Sequence, residues 1–151
     1  MRSPRAHTTS SAALLLNEAE EKGYQHTLPE ILQQPATWLD TCERLIARRD
    51  SLKARLNGIA AVVLSGSGSS QFAGECVRPV LQRELGIGVA TVDGGALLTH
   101  GAAAMPPARP ALVVSLARSG NSPESVGAVS GLLSAEPGAR HLILTDRKSV
   151  V

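Results

Sequence analysis

Aromatic side chains make up only 2% of this 151-residue chain, and cysteine occurs just twice. The scarcity of aromatics leaves the basic residues Arg44, Arg48, Arg49, Lys53, Arg55, Arg78 and Arg83 without stacking partners. They read as solvated helix faces, which argues against a nucleic-acid partner. Cys42 and Cys76 lack CxxC spacing and a neighbouring histidine, so they read as isolated thiols and not as a disulfide or metal pair. Long apolar runs are also missing. Near the N-terminus, where Arg2 and Arg5 stand, the longest such run is residues 12–16. That is too short for the apolar region of a signal peptide, and nothing approaches a membrane span. These absences predict a cytoplasmic protein with no membrane partner. No internal repeat or low-complexity tract is present.

What the chain does have is an apolar fraction of 43% with a formal net charge of +2, enough to build a core of ordinary globular type. Ala, Val, Leu and Gly dominate, a set suited to packing helices closely on a sheet. The length fits one domain. Residues 1–10 read as a polar tail, and 11–21 as a short helix closed by Gly23. Thr27-Leu28-Pro29-Glu30 has the form of a helix start, with Thr27 as N-cap and Glu30 reaching back in a capping box. Pro35 is expected to interrupt that helix. A longer amphipathic helix then runs to about Leu56, with Trp38, Cys42, Leu45, Ile46, Leu52 and Leu56 as candidate apolar positions.

The pattern changes after Gly58. Residues 60–64 form a continuous apolar run, as a parallel strand buried on both faces requires. A Gly/Ser loop and a helix over 70–85 follow. Residues 89–92 make a second strand closed by Asp93-Gly94-Gly95, and a helical turn is expected near Leu97 and Leu98. Residues 111–116 make a third strand, a second Ser-rich loop leads to a helix starting at Pro123, and 141–145 make a fourth strand. This alternation predicts an α/β fold, a doubly wound and mostly parallel sheet over 58–151, preceded by a helical segment over 1–57. Ligands of such sheets sit beyond the carboxyl ends of the strands, where both Ser-rich loops fall.

The first loop is Ser65-Gly66-Ser67-Gly68-Ser69-Ser70. Its glycines permit a tight turn and close approach of a ligand. Its amides open a helix and so favour an anion, and the hydroxyls of Ser67, Ser69 and Ser70 add neutral donors. A dinucleotide fingerprint fails because Gln71 stands where its third glycine would be, and a P-loop fails because no Gly-Lys-Ser/Thr follows. Taken alone, the loop could be a plain strand-to-helix turn. The second loop is Arg118-Ser119-Gly120-Asn121-Ser122-Pro123-Glu124. Ser122 suits an N-cap and Pro123 the first helical position; Glu124 suits the positive helix end. Capping leaves Ser119 and Gly120 unexplained. Two such loops on one sheet point to a phosphate site, and uncharged hydroxyl donors suit a phosphate that must be released.

Leu116-Ala117-Arg118-Ser119-Gly120-Asn121-Ser122-Pro123-Glu124-Ser125 resembles the serine loop of the sugar isomerase (SIS) domain of phosphosugar-binding proteins. Ser67-Gly68-Ser69-Ser70 resembles that family's first motif, and the resemblance covers about 58–145. It implies a flavodoxin-like three-layer fold. It also implies phosphate binding by Ser70, Ser119 and Ser122, with Gly68, Ser69, Arg118, Gly120 and Asn121 shaping the site. Upstream, His26-Thr27-Leu28-Pro29-Glu30-Ile31-Leu32-Gln33-Gln34-Pro35 and Trp38 look like the N-terminal helix of the tagatose-6-phosphate ketose/aldose isomerase and galactosamine-6-phosphate deaminase/isomerase group. That implies proton shuttling on a hexose phosphate or amino-sugar phosphate, with no metal and no other cofactor. The family also implies a homo-oligomer.

The resemblance implies two SIS domains in tandem, and in the related isomerase half of glucosamine-6-phosphate synthase the catalytic Glu, His and Lys groups lie largely in the second. The present chain is therefore expected to represent the first domain, truncated and with its sheet incomplete at the C-terminus. No catalytic residue is assigned. Glu75 reads better as a surface salt bridge than as a base, Asp93 equally as a turn former or a sugar contact, and His100 as a loop residue; His26 and His141 have weaker claims. Two alternatives stand beside the enzyme: a non-catalytic sugar-phosphate sensor, and an inactive fragment. The helix-turn-helix of SIS-type regulators is not matched by 1–57, where the Gln-Gln-Pro interruption does not suit a recognition helix.

Overall fold

The computed structural model describes residues 13–15, 18 and 21–145. The chain divides into two compact units, one up to Leu52 and one from Lys53 onward. In the first unit, helix α1 spans Thr27–Ala47. Residues 13–15, 18 and 21 are helical, and the rest of the helix expected over 11–21 lies outside the described residues, as does the tail over 1–10.

Two local expectations are corrected in α1. Thr27 is its first helical residue and not its cap: His26 occupies the N-cap in αR geometry with no side-chain capping bond. The preceding turn already supplies a backbone partner, Leu28 N–H to Tyr24 C=O at 3.1 Å, so no capping box forms. Pro35 does not interrupt the helix, which runs through it. The missing proline N–H frees one carbonyl, and α1 is exposed around that turn, so water can take the vacant bond. The break comes later, at Arg48, after which α2 spans Arg49–Leu56. The expected apolar stripe is not buried: Trp38, Leu45 and Ile46 are all exposed.

The second unit is built on a four-stranded sheet whose strands are β1 (Ala61–Gly66), β2 (Gly88–Asp93), β3 (Ala111–Leu116) and β4 (Arg140–Leu144). Their order is β2-β1-β3-β4, and every pairing is parallel. Helix α3 (Ser69–Leu85) links β1 to β2. Helix α4 (Gly94–His100) and a 3₁₀ turn (Gly101–Ala104) lead from β2 toward β3, and α5 (Pro123–Ala135) links β3 to β4. His100 is thus the last residue of a helix, not a loop residue.

Strand alternation divides the core between the two faces of the sheet. Val62, Leu64, Val89, Leu112 and Val114 pack together on one face, joined by Leu56 and by Leu81 of α3. Val63, Ala111 and Val113 pack on the other with Leu97 of α4, Met105, and Ala128 and Leu132 of α5. Side chains on successive strand residues point to opposite faces, so a run that is apolar throughout needs helices on both sides. Gly74 lets α3 approach β1 closely: a Cβ there would lie 3.3 Å from the Leu64 Cβ. Arg140 fastens the end of α2 to β4 by donating to the carbonyls of Arg55 and Asn57. Arg109 and Glu136 form a two-pronged ion pair at 2.9 and 3.0 Å, and the Arg109 side chain holds the Glu136 carboxyl below its ordinary range. No helix among the described residues is long and apolar enough to cross a membrane.

His141 lies opposite Val113 in the β3–β4 pairing, and both of its ring nitrogens are buried without a hydrogen-bond partner among the described residues. Loss of solvation pushes its pKa below 6.5. The unfolded chain therefore binds this proton more readily than the folded one, and stability rises with pH across the interval between the two values. We expect stability to be complete above pH 6.5 and to fall as the pH drops from there toward the depressed folded-state value. Urea denaturation of wild type and His141→Leu at pH 7.5 and 5 should show this part of the acid loss disappearing in the variant. An unchanged pH dependence would contradict the assignment.

Candidate functional site

The crossover from β1 leaves toward β2, and the one from β3 leaves in the opposite direction, toward β4. Between two neighbouring strands whose connections diverge, the carboxyl edge of a parallel sheet opens into a crevice, the usual ligand position in doubly wound folds. Both Ser-rich loops stand at this point: the first runs from β1 into α3, the second from β3 into α5.

The first loop turns unusually tightly. A Cβ on Gly66 would lie 2.7 Å from the Cβ of Ser70 and 2.8 Å from its carbonyl carbon, so only glycine fits where β1 meets the first turn of α3. Gly68 follows with φ +57° and occupies the N-cap. As a consequence, α3 begins without a side-chain cap; its first turn is closed by backbone instead, with Ser70 N–H donating to the Ser67 carbonyl at 3.3 Å. Ser67 and Ser70 are half-buried, and Ser69 is exposed.

The second loop does cap its helix. Ser122 accepts from the Ser125 N–H at 3.2 Å, and Pro123 opens α5. The Ser122 hydroxyl donates to that of Ser125 at 2.6 Å; hydroxyls can turn, and with the two roles exchanged the Ser122 proton would go to a ligand. Ser119 accepts from the Asn121 N–H at 3.4 Å, which likewise leaves its own proton free to donate. Gly120 takes φ +65°. Thr145 steadies the loop from the end of β4, donating to the Arg118 carbonyl at 3.0 Å, while Ala117 N–H bonds the Leu144 carbonyl. Arg118, Ser119, Asn121 and Ser122 are exposed.

The two loops meet. Ser67 of the first donates to the Glu124 carboxylate of the second at 3.0 Å, so Glu124 does more than complement a helix dipole. Asp93, at the end of β2 and paired with Gly66 in register, caps α4 by accepting from the amides of Gly95 at 2.8 Å and Ala96 at 3.3 Å. Its turn-forming role is thereby observed, with both amide bonds on the Oδ1 oxygen. Beneath the crevice a small cavity is lined by the three serines Ser65, Ser115 and Ser125, with Leu97, Val113 and Leu132 among its apolar walls.

Anion affinity at this crevice would come from backbone amides, hydroxyls and the Arg118 guanidinium, because carboxylates such as Asp93 and Glu124 repel an anion. The other residues weighed for chemistry are dispersed. Glu75 accepts from Gln71 at 3.3 Å one turn along α3, not from a cation. His26 precedes α1 and His141 lies inside the sheet. No group of three or more His, Cys, Asp or Glu side chains that could hold a metal occurs among the described residues. Sequence reasoning missed the linking role of Glu124 and the support from Thr145. Neither has a local signal, since their partners are 57 and 27 residues away.

No protein-family model matches the chain. A Streptomyces coelicolor protein that carries the name AgaS is 39% identical over 125 residues, covering 80% of this chain and 32% of its own length. The Escherichia coli D-galactosamine-6-phosphate deaminase AgaS is 34% identical over 124 residues, covering 79% and 32%. The crystal structure of tagatose-6-phosphate ketose/aldose isomerase from Escherichia coli superposes with a TM-score of 0.70 at 34% identity, over 78% of this chain and 33% of that one. The chain carries an SIS-type domain of this group. It spans about a third of the length of the relatives it matches. Within this SIS-type domain, both loops that resemble the family motifs stand at the divergence of β1 and β3.

A test of the tight turn follows from the close approach at Gly66. Gly66→Ala should displace the first turn of α3 and lower stability by about 1–3 kcal/mol. Denaturant unfolding gives the stability change directly. A fully stable variant would show that the turn relaxes without cost.

Proposed function

We propose that this SIS-type domain holds the phosphate of a hexose 6-phosphate or amino-hexose 6-phosphate in the crevice between β1 and β3. It would do so as part of a ketose/aldose isomerase or an amino-sugar-phosphate deaminase. The observation that carries this reading is the convergence of two serine-rich loops, joined by the Ser67–Glu124 bond, where the crossovers diverge. The names of the relatives, galactosamine-6-phosphate deaminase and tagatose-6-phosphate isomerase, supply the substrate class. Ser70, Ser119 and Ser122 would donate to the phosphate oxygens. Gly68, Ser69, Arg118, Gly120 and Asn121 would shape the loops around them. Anchoring the remote phosphate positions the sugar carbons for proton transfer, so that binding energy is used for orientation.

One observation favours a second reading, sugar-phosphate binding without turnover by these residues. The two carboxylates nearest the crevice are already engaged, Asp93 with the amides of α4 and Glu124 with Ser67, which leaves neither poised as a general base. The proposal also carries a cytoplasmic setting, a homo-oligomeric assembly and no nucleic-acid partner, which fractionation and size-exclusion chromatography would check.

Isothermal calorimetry with tagatose 6-phosphate and galactosamine 6-phosphate tests the site. Both should bind the wild-type chain, whereas unphosphorylated tagatose and galactosamine should not. Ser119→Ala combined with Ser122→Ala should reduce affinity at least tenfold, on the order of 1.4 kcal/mol or more. Equal affinity in the double variant would sink the assignment.

A further inference from the structure

A serine hydroxyl has one proton to give, and a carboxylate oxygen can only accept. The contact of 3.0 Å between Ser67 Oγ and Glu124 Oε1 therefore commits the Ser67 proton to Glu124. Neither helix beside Glu124 needs its carboxylate as a cap. Ser122 already caps α5, and Asp93 already holds the first amides of α4. The surrounding backbone also leaves room for the contact. A Cβ at Gly94 would lie 2.7 Å from the Ser67 hydroxyl oxygen, and one at Gly95 would lie 3.1 Å from Glu124 Oε1. Two consecutive glycines thus open the space in which the serine and the carboxylate meet, in a half-buried position where solvent screening is reduced.

We infer that Glu124 is a positioning residue that locks the two loops in one register, and that Ser67 is a strut between them and not a phosphate ligand. The bond joins residues 57 apart in sequence. It thereby fixes the entry to α3 against the first turn of α5, so the amides and hydroxyls of both loops face a single anion. Ser69, Ser70, Ser119 and Ser122 remain as the hydroxyl donors. The effect on ligand affinity rests on the phosphate-binding reading above, whereas the tie between the loops does not.

A double-mutant cycle separates a strut from a ligand. With galactosamine 6-phosphate in calorimetry, Ser67→Ala and Glu124→Ala should each weaken binding roughly five- to tenfold, and the double variant no further than either alone. Glu124→Gln keeps an amide oxygen that accepts from Ser67, so it should bind nearly as wild type does. Additive losses would make Ser67 an independent ligand and overturn the inference. Hydrogen exchange without ligand tests the tie by itself. The amides of residues 66–70 should exchange faster in Glu124→Ala and in Ser67→Ala, and at the wild-type rate in Glu124→Gln. Unchanged exchange in both alanine variants would overturn the tie. If wild type binds no sugar phosphate while exchange responds as expected, the phosphate reading fails and the tie stands.

Discussion

The parallel pairing of β1 with β3, between crossovers that depart in opposite directions, is the constraint on which the functional end of this domain depends. A parallel strand cannot return by a hairpin; it needs a crossover that covers one face of the sheet. Here α3 takes one face and α5 takes the other, so the carboxyl ends of β1 and β3 are left side by side with no connection passing over them. Residues at those ends then have little choice of position. Ser65 pairs with Ser115, and the loops that follow each must begin a helix at the mouth of the same crevice.

The two helix starts are solved differently, and the difference matters for binding. Helix α5 has a side-chain cap from Ser122, but α3 begins at Gly68 with none. Amides at an uncapped helix start carry part of the helix dipole and seek an acceptor. A phosphate monoester would supply several acceptor oxygens at once. In place of a side-chain cap, that first turn has the Ser70 N–H bond to the Ser67 carbonyl, the close fit of Gly66 against Ser70, and the bond from Ser67 to Glu124. Support from Thr145 plays the corresponding part for the second loop. On the proposed reading, amides and hydroxyls on a braced backbone with one guanidinium, that of Arg118, would hold a phosphate without the strong grip of a cation cluster.

Much of this was legible in the residues themselves. The strand over 111–116 and the helix start at Pro123 match the structure at the same residues, because a continuous apolar run and a Ser-Pro cap are local statements. The position of both loops beyond strand ends followed from alternation of elements. Within the first unit the local rules misled. Pro35 sits inside a continuous helix, and the capping box at Thr27 does not form. A capping rule describes what a side chain can do, while the turn from Tyr24 had already supplied the backbone bond.

By itself, then, the sequence determined the four strands from Gly58 onward, the helices that follow the two Ser-rich loops, and the resemblance of the loop motifs. These depend on spacing and on side-chain chemistry within a few residues. Tertiary structure alone decided the strand order, and with it the divergence that brings the loops together. It also decided that Asp93 would cap a helix, that Arg140 would close α2, and that Glu124 would reach across to Ser67. Each of those bonds joins the ends of different elements, or selects one partner among several. Only the packed sheet, by fixing register and helix placement, determines which groups come within hydrogen-bonding distance.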